Sequence, residues 1–319
     1  MADPVPPFDA ANSRFDLNTY AGRLRRCFQI TDPRTLLVGD AELADARALL
    51  DRHARGQGAT PDAELWEAKR IEDAIVHPVT HEKMFAPGRM SAFVLVNTPV
   101  TVGMLLAKTP VQTVFWQWIN QSLNVMCNYV NRSGATIDTT QVAKAYTLAV
   151  GVSCGIAVGA GRLVQRGPPW VRRLRIAVPY AAVVSAGSAN VAFTRLPEMQ
   201  GGVPIAAPDG TPLGTSKAAA QRAVVDTVLS RILAQPIVPM LVPPLLLAAL
   251  QSAVPLGAVG AIAAQTVFVA GCSGIALPFA IAVFPQEMKV DVSQLEPECQ
   301  GHKGKDGTPI EYVLCNKGL

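Results

Sequence analysis

The stretch ILAQPIVPMLVPPLLLAALQSAVPLGAVGAIAAQTVFVAGCSGIALPFAIAVFPQ, residues 232–286, runs for 55 positions without a charged side chain. As one helix it would extend about 80 Å against a bilayer core of ~30 Å. It must therefore fold back at least once, and Pro255 and Gly257 mark the turn, giving spans near 232–252 and 262–284. Three further uncharged runs predict spans near 91–107, 145–161 and 176–194. A soluble core would place polar helix faces or period-two strands between such runs, and neither pattern is present. The expected fold is an all-α integral membrane protein with about five transmembrane helices, one additional polar amphipathic helix and a helical soluble N-terminal region.

Charge divides the 319 residues in the same way. Half the chain is hydrophobic and 16% is charged, against roughly 25% charged in soluble domains. Residues 1–89 carry 12 Lys/Arg and 14 Asp/Glu, residues 90–285 carry 12 and 4, and the last 34 carry 4 and 6. The expected organisation is a soluble helical region over 1–89, a transmembrane transport domain over 90–286 and a C-terminal tail over 287–319. The net charge of +4 comes from a surplus inside the apolar region, so no basic surface for nucleic acid is indicated. Cys27, Cys127, Cys154, Cys272, Cys299 and Cys315 form no CxxC pair and approach no His cluster, which points to neither a disulfide framework nor a zinc site. The start, MADPVPPFDA, has the features of neither a secretory signal nor an Arg-rich transit peptide, so targeting is expected to be internal.

Lys/Arg asymmetry of short loops sets orientation. The connection 162–175 holds five arginines and no acid and should face the negative compartment. If 109–131 does not cross, the N-terminus lies on that same side and five crossings put the C-terminus opposite. If it crosses, the N-terminus changes sides. In the soluble region, 41–55 and 60–76 are expected to be helices. Thr60 is the expected cap of the second, with Pro61 at its first position and a stripe of Leu65, Ala68, Ile71 and Ile75.

The segment 109–131, TPVQTVFWQWINQSLNVMCNYVN, is the most polar of the long uncharged runs. On a helix Gln117, Asn120, Gln121, Asn124, Asn128 and Asn131 share a face. An unpaired amide in hydrocarbon costs several kcal/mol, so that row either lines a solute path, lies at the membrane interface, or joins helices as an amide ladder. Ahead of the first span, His77, Thr80, Glu82, Lys83 and Arg89 stand where a path would open, or where charges anchor a helix at headgroup level. Arg132 and Arg195 have similar positions. His77 and His81 match no zinc-protease order and have no third ligand, so no metal is expected. Gly151, Gly155 and Gly159 permit close helix contact. Pro236, Pro239, Pro243 and Pro244 should interrupt their span, as a gate or as a static kink. Asn190, Gln235 and Gln265 are lone amides in spans. No nucleophile–base pair, phosphate loop or redox motif supports an enzyme, and no cofactor is expected.

These motifs resemble the sideroflexin family of mitochondrial inner-membrane proteins. The resemblance rests on HPxTxEK at His77 to Lys83, Arg89-Met90-Ser91, FWQWxNQSxNxxxNYxNR from Phe115 to Arg132, Asn190 and Arg195, Phe284-Pro285-Gln286, Leu295-Glu296-Pro297-Glu298, and Asn316-Lys317-Gly318-Leu319. Asp32 to Leu36, Gly214 to Lys217 and ALPFAIAVFPQ are most similar to the fifth paralogue, described as a tricarboxylate carrier. Val79 and His81 depart from the family pattern. The resemblance implies about five transmembrane helices, the N-terminus in the matrix, the C-terminus in the intermembrane space, and transport of small polar metabolites. Citrate is narrowly favoured over serine. A non-transporting scaffold or assembly factor is the competing class.

Overall fold

A computed structural model describes residues 5–131, 139–229, 235–283, 287–301 and 308–316. The N-terminal region contains α1 (Tyr20–Ile30), α2 (Asp40–Ala54) and α3 (Asp62–Ile75). Thr19 caps α1 by accepting from the Gly22 N–H. α2 and α3 pack through Leu43, Ala46, Ala68, Ile71 and Ile75, so the expected stripe is the buried face. The start of α3 lies one residue later than expected: Pro61, not Thr60, is its N-cap, and no side chain caps it.

The bundle that follows contains α4 (Phe93–Leu106), α5 (Pro110–Val130), α6 (Thr139–Arg166), the short α7 (Pro169–Arg172) and α8 (Ala177–Thr194). After α9 (Leu196–Gly201) and α10 (Lys217–Thr227), α11 (Gln235–Ala253) and α12 (Ala258–Ala282) complete it. Three of these helices are long and apolar enough to cross a membrane, over Val142–Arg166, Pro236–Ala253 and Ala258–Ala282. Two more apolar helices, Met90–Leu106 and Ala177–Phe193, are shorter.

Contacts fix the direction of each helix. A Cβ on Gly103 would collide with the Trp116 ring, and Asn131 Nδ2 at the far end of α5 donates to the Gly88 carbonyl (2.7 Å), so α5 returns alongside α4. Ser122 Oγ meets the Tyr146 hydroxyl at 2.8 Å, and Gln117 meets Ser153, so α6 runs antiparallel to α5. α8 packs along α6, and α11 and α12 form a hairpin around residues 254–257. Gly274 of α12 packs on Val94 while Thr266 faces Val102 across a cleft; α12 is therefore antiparallel to α4. Its end is held by Arg23, whose Nε donates to the Ala282 carbonyl (2.9 Å). The six long helices alternate in direction. The N-terminal region, residues 195–229 after α8 and the described residues of 287–316 after α12 gather at one end, leaving residues 107–109, 167–176 and 254–257 at the other.

The segment 109–131, expected as a separate polar amphipathic helix, is thus a full helix inside the bundle, and its amphipathicity is inverted. Val111, Phe115, Trp118 and Tyr129 are exposed, while Gln117 and Gln121 are 2% and 1% exposed. Average polarity hid this, because Gln117, Asn120 and Gln121 pack inward and much of the apolar surface faces out.

The helical reading holds for most of the chain, but a four-stranded antiparallel sheet adds to it. Its order is β2-β1-β4-β3, with β1 (Val203–Ala206), β2 (Pro212–Ser216), β3 (Glu287–Asp291) and β4 (Tyr312–Asn316). α10 packs on it through Ala219, Ala220 and Ala223 against Val203, Ile205, Val290 and Val313. The segment 287–316, read as a tail, therefore supplies two of the strands. Glu296 joins the halves by accepting from Ser216 Oγ (2.7 Å) and from the Lys217 and Ala218 N–H groups (2.6 and 2.9 Å) at the start of α10. Burial pushes its pKa up, but these donors outweigh that and hold it down to about 2.

Two expectations about small residues and prolines are corrected. A Cβ at Gly151, Gly155 or Gly159 would meet nothing within 4 Å, because these glycines face outward rather than into a helix contact. α11 continues as one helix from Gln235 to Ala253 through Pro239, Pro243 and Pro244. Each proline removes only one N–H, and the remaining ladder and the neighbouring helices keep the helix whole.

Candidate functional site

α5 begins at a capping box, in which Thr109 accepts from the Gln112 N–H and the Gln112 side chain returns to the cap, with Pro110 in the first turn. This fixes the rotation of the helix. From Gln117 to Asn131 the polar row rises about 21 Å, most of a bilayer core.

The row is not uniform. Gln117 is engaged by the Ser153 hydroxyl of α6. Asn120 Nδ2 and Gln121 Nε2 are buried without a hydrogen-bond partner. Asn124 is half-buried and Asn128 is exposed, while Asn131 serves as a clamp on Gly88 and Cys127. On α12, Gln265 is 3% exposed and its Nε2 is also unpartnered. A buried donor without an acceptor costs about 1–3 kcal/mol, so each of these three amides, two on α5 and one on α12, is a local deficit. Asn190 is buried on α8.

Pro239, Pro243 and Pro244 carry no N–H, so the carbonyls of Gln235, Pro239 and Met240 have no i+4 donor. Met240 is buried in an apolar cluster with Val100 and Met104, against which Trp116, Ile119 and Leu123 pack. That contact brings the proline-rich turn of α11 to the level of Gln117, Asn120 and Gln121. A cleft of about 410 Å³ lies beside it between α4, α5 and α12, with Thr98, Val102, Trp116 and Thr266 among its walls. The amides of the row are not among its walls. Thr98 Oγ1 is buried and unpartnered. Nothing in the sequence distinguished Thr98, a small hydroxyl in an apolar run.

The residues expected at a mouth have other roles. His77 Nδ1 accepts from the Val79 and Thr80 N–H groups (3.2 and 3.1 Å), and the His77 backbone N–H donates to the Glu82 carbonyl, so the HPxTxEK motif is a tight turn with Val76 bridged to Lys83. His81 adopts φ 54° there. Glu82 and Lys83 are exposed. Lys83 pairs with Asp40, which holds the Asp40 carboxyl below its ordinary value through that hydrogen bond and charge. Arg89 is 3% exposed and donates through Nε and Nη2 to the Met84 carbonyl (3.0 and 2.8 Å). Arg195 is buried and paired with Glu198 at 2.6 Å, with Nη1 unpartnered. Arg132 lies outside the described residues. Among the described residues no group of three His, Cys, Asp or Glu is placed to hold a metal ion.

Apolar helices, three of them long enough to cross a membrane, with a partly buried row of neutral amides among them, mark a helical fold of membrane type. The family model of the sideroflexins matches residues 9–319, and this chain belongs to that family. It is 42% identical to Sideroflexin FSF1 of Saccharomyces cerevisiae over the whole of both chains. It is 39% identical to Sideroflexin-3 of Homo sapiens over 96% of each chain. With Sideroflexin-5 of Homo sapiens the identity is 36%, over 99% of this chain and 94% of that protein. No solved structure matches it.

Proposed function

We propose that the chain is a carrier of the mitochondrial inner membrane, and not an enzyme, that moves small carboxylate-bearing metabolites of low net charge. The observation that carries this reading is the set of unpartnered donors Asn120 Nδ2, Gln121 Nε2 and Gln265 Nε2. They suit a carboxylate, and the proline-freed carbonyls of α11 suit an ammonium or hydroxyl at the same level. A zwitterionic amino acid such as serine satisfies both sets. Citrate, favoured by the resemblance alone, needs cations. Lys83 is paired with Asp40, Arg89 donates to the Met84 carbonyl and Arg195 is paired with Glu198, which leaves Arg195 Nη1 as the one buried cationic donor without a partner among the described residues, and the buried amides are neutral.

The topology belongs to the same proposal. Six crossings, with α5 among them, place the N-terminal region and the sheet together in the intermembrane space and turn the arginine-rich loop to the matrix. The exposed apolar face of α5 supports the sixth crossing, as do Tyr129 and Trp170 exposed at opposite ends of the bundle.

One observation favours the scaffold reading: Gln117–Ser153 and Ser122–Tyr146 tie α5 to α6 as an amide ladder would. Uptake of labelled serine and labelled citrate into the same proteoliposomes separates the readings. Saturable serine uptake that persists in Arg195→Gln is expected. Citrate uptake lost in that variant would reverse the substrate choice, and no uptake of either would support the scaffold.

A further inference from the structure

We propose that α1 is an in-plane membrane anchor whose exposed face rests in the headgroup–acyl boundary of the bilayer beside the end of α12. This rests on the reading that the helical bundle spans a membrane.

The argument begins with an inversion like that of α5. On the helical wheel of YAGRLRRCFQI, Tyr20, Ala21, Leu24 and Phe28 fall within one sector of about 100°. Tyr20 and Phe28 are 42% and 44% exposed, and Ala21 is exposed. The other side carries Gly22, Arg23 and Arg26, with Cys27 at the edge of the sector, and these are turned toward the protein. Arg26 pairs with Asp73 of α3 at 2.9 Å. Arg23 donates to the carbonyls of Ala282, Leu17 and Asn18. Gly22 and Cys27 are buried. A helix in water places its aromatic side chains inside; α1 turns Tyr20 and Phe28 outward and two of its three arginines inward, with Arg25 exposed beside the aromatic sector, which suits the boundary between an apolar medium and water.

The surroundings specify which medium. Phe28 meets Phe279 of α12 edge-on, with ring centroids 6.2 Å apart. Phe279 stands on an exposed strip of α12 with Ile275 and Val283, the surface that faces lipid if the bundle spans. The aromatic face of α1 is continuous with that strip and lies at its end, where the hydrocarbon gives way to headgroups. Tyrosine favours that level, where its ring is covered and its hydroxyl stays wet. A protein partner would need no such continuity with a lipid-facing strip.

The test uses the intact protein in phosphatidylcholine vesicles containing a diazirine-bearing phosphatidylcholine, with crosslinked peptides mapped by mass spectrometry. A parallel sample is footprinted with hydroxyl radicals from the aqueous side. Lipid label on Tyr20–Ile30 should exceed that on the Asp40–Ala54 helix several-fold, approach that on the Ile275–Val283 strip, and coincide with protection of Tyr20 and Phe28 from hydroxyl radicals. Label on Ile275–Val283 with none on Tyr20–Ile30 would overturn the anchor while leaving the spanning bundle intact. Strong radical modification of Tyr20 and Phe28 would likewise overturn it and mark the face for a soluble partner. Absence of label from both segments would remove the spanning reading and the anchor with it.

Discussion

Gln121→Met separates a solute site from structural glue by the sign of its effect on stability. Gln121 is 1% exposed and its Nε2 has no partner, so the native protein bears a desolvation penalty of about 1–3 kcal/mol at this atom. Methionine has similar length and flexibility and brings no donor, so the substitution should recover most of that penalty, and the detergent-purified variant should unfold later than wild type in heat or denaturant. Transport should fall steeply, because the donor is lost. Gln117→Met should do the opposite to stability: it strips the Ser153 hydroxyl of its partner and should cost ~1 kcal/mol. The assays are unfolding in detergent and initial uptake rates in proteoliposomes, on the same preparations. If Gln121→Met unfolds earlier than wild type, its amide is paired in the working protein and the deficit argument fails. If it is more stable and transports at the wild-type rate, the donor does not serve a solute.

Tags at both termini should be cut by protease added to mitoplasts with an intact inner membrane, while a site inserted in 167–176 stays protected; cleavage of only one terminus would eliminate the even-numbered topology. Gly103→Leu should destabilise by about 1–3 kcal/mol or more, since its Cβ would enter the Trp116 ring, and Trp116→Ala in the same chain should restore part of the loss in melting experiments. Glu296→Gln should cost about 2 kcal/mol at neutral pH by weakening three charge-assisted hydrogen bonds. Because the folded pKa is lowered to about 2, the wild-type contribution is complete above the ordinary carboxylate value and lost as pH falls toward 2; a variant whose melting shows the same acid dependence as wild type would show that Glu296 is not the latch.

The apolar helices were legible because a charge is so costly in hydrocarbon that its absence over 17 or more residues is informative by itself. α5 was legible as a helix and as a polar row, but not as a member of the bundle, since mean polarity cannot say which face is buried. The Gly151–Gly159 stripe had the spacing for contact, yet spacing says nothing about whether a neighbour exists on that side. The sheet escaped because its strands are four or five residues long and its pairs join positions near 205 and 315. Among the mouth residues, the sequence marked His77, Lys83 and Arg89 as special without revealing that a turn, an ion pair and a carbonyl occupy them. The unpartnered state of Asn120 and Gln121 depends on what faces them, which no local pattern encodes.

Placing every folded extramembrane unit at one end of the bundle changes what insertion must accomplish. If those units stay in the compartment from which the chain arrives, only three short hairpin tips have to traverse the bilayer, and no folded or strongly acidic segment follows them. The tips and the adjoining helix ends hold Lys108, Arg162, Arg166, Arg172, Arg173 and Arg175 and no acid. Across a potential negative on the far side, each such charge is drawn through with about 2.3 kcal/mol per 100 mV. The electric field that would later surround the working protein thus also favours the final threading of the two tips that carry these cations.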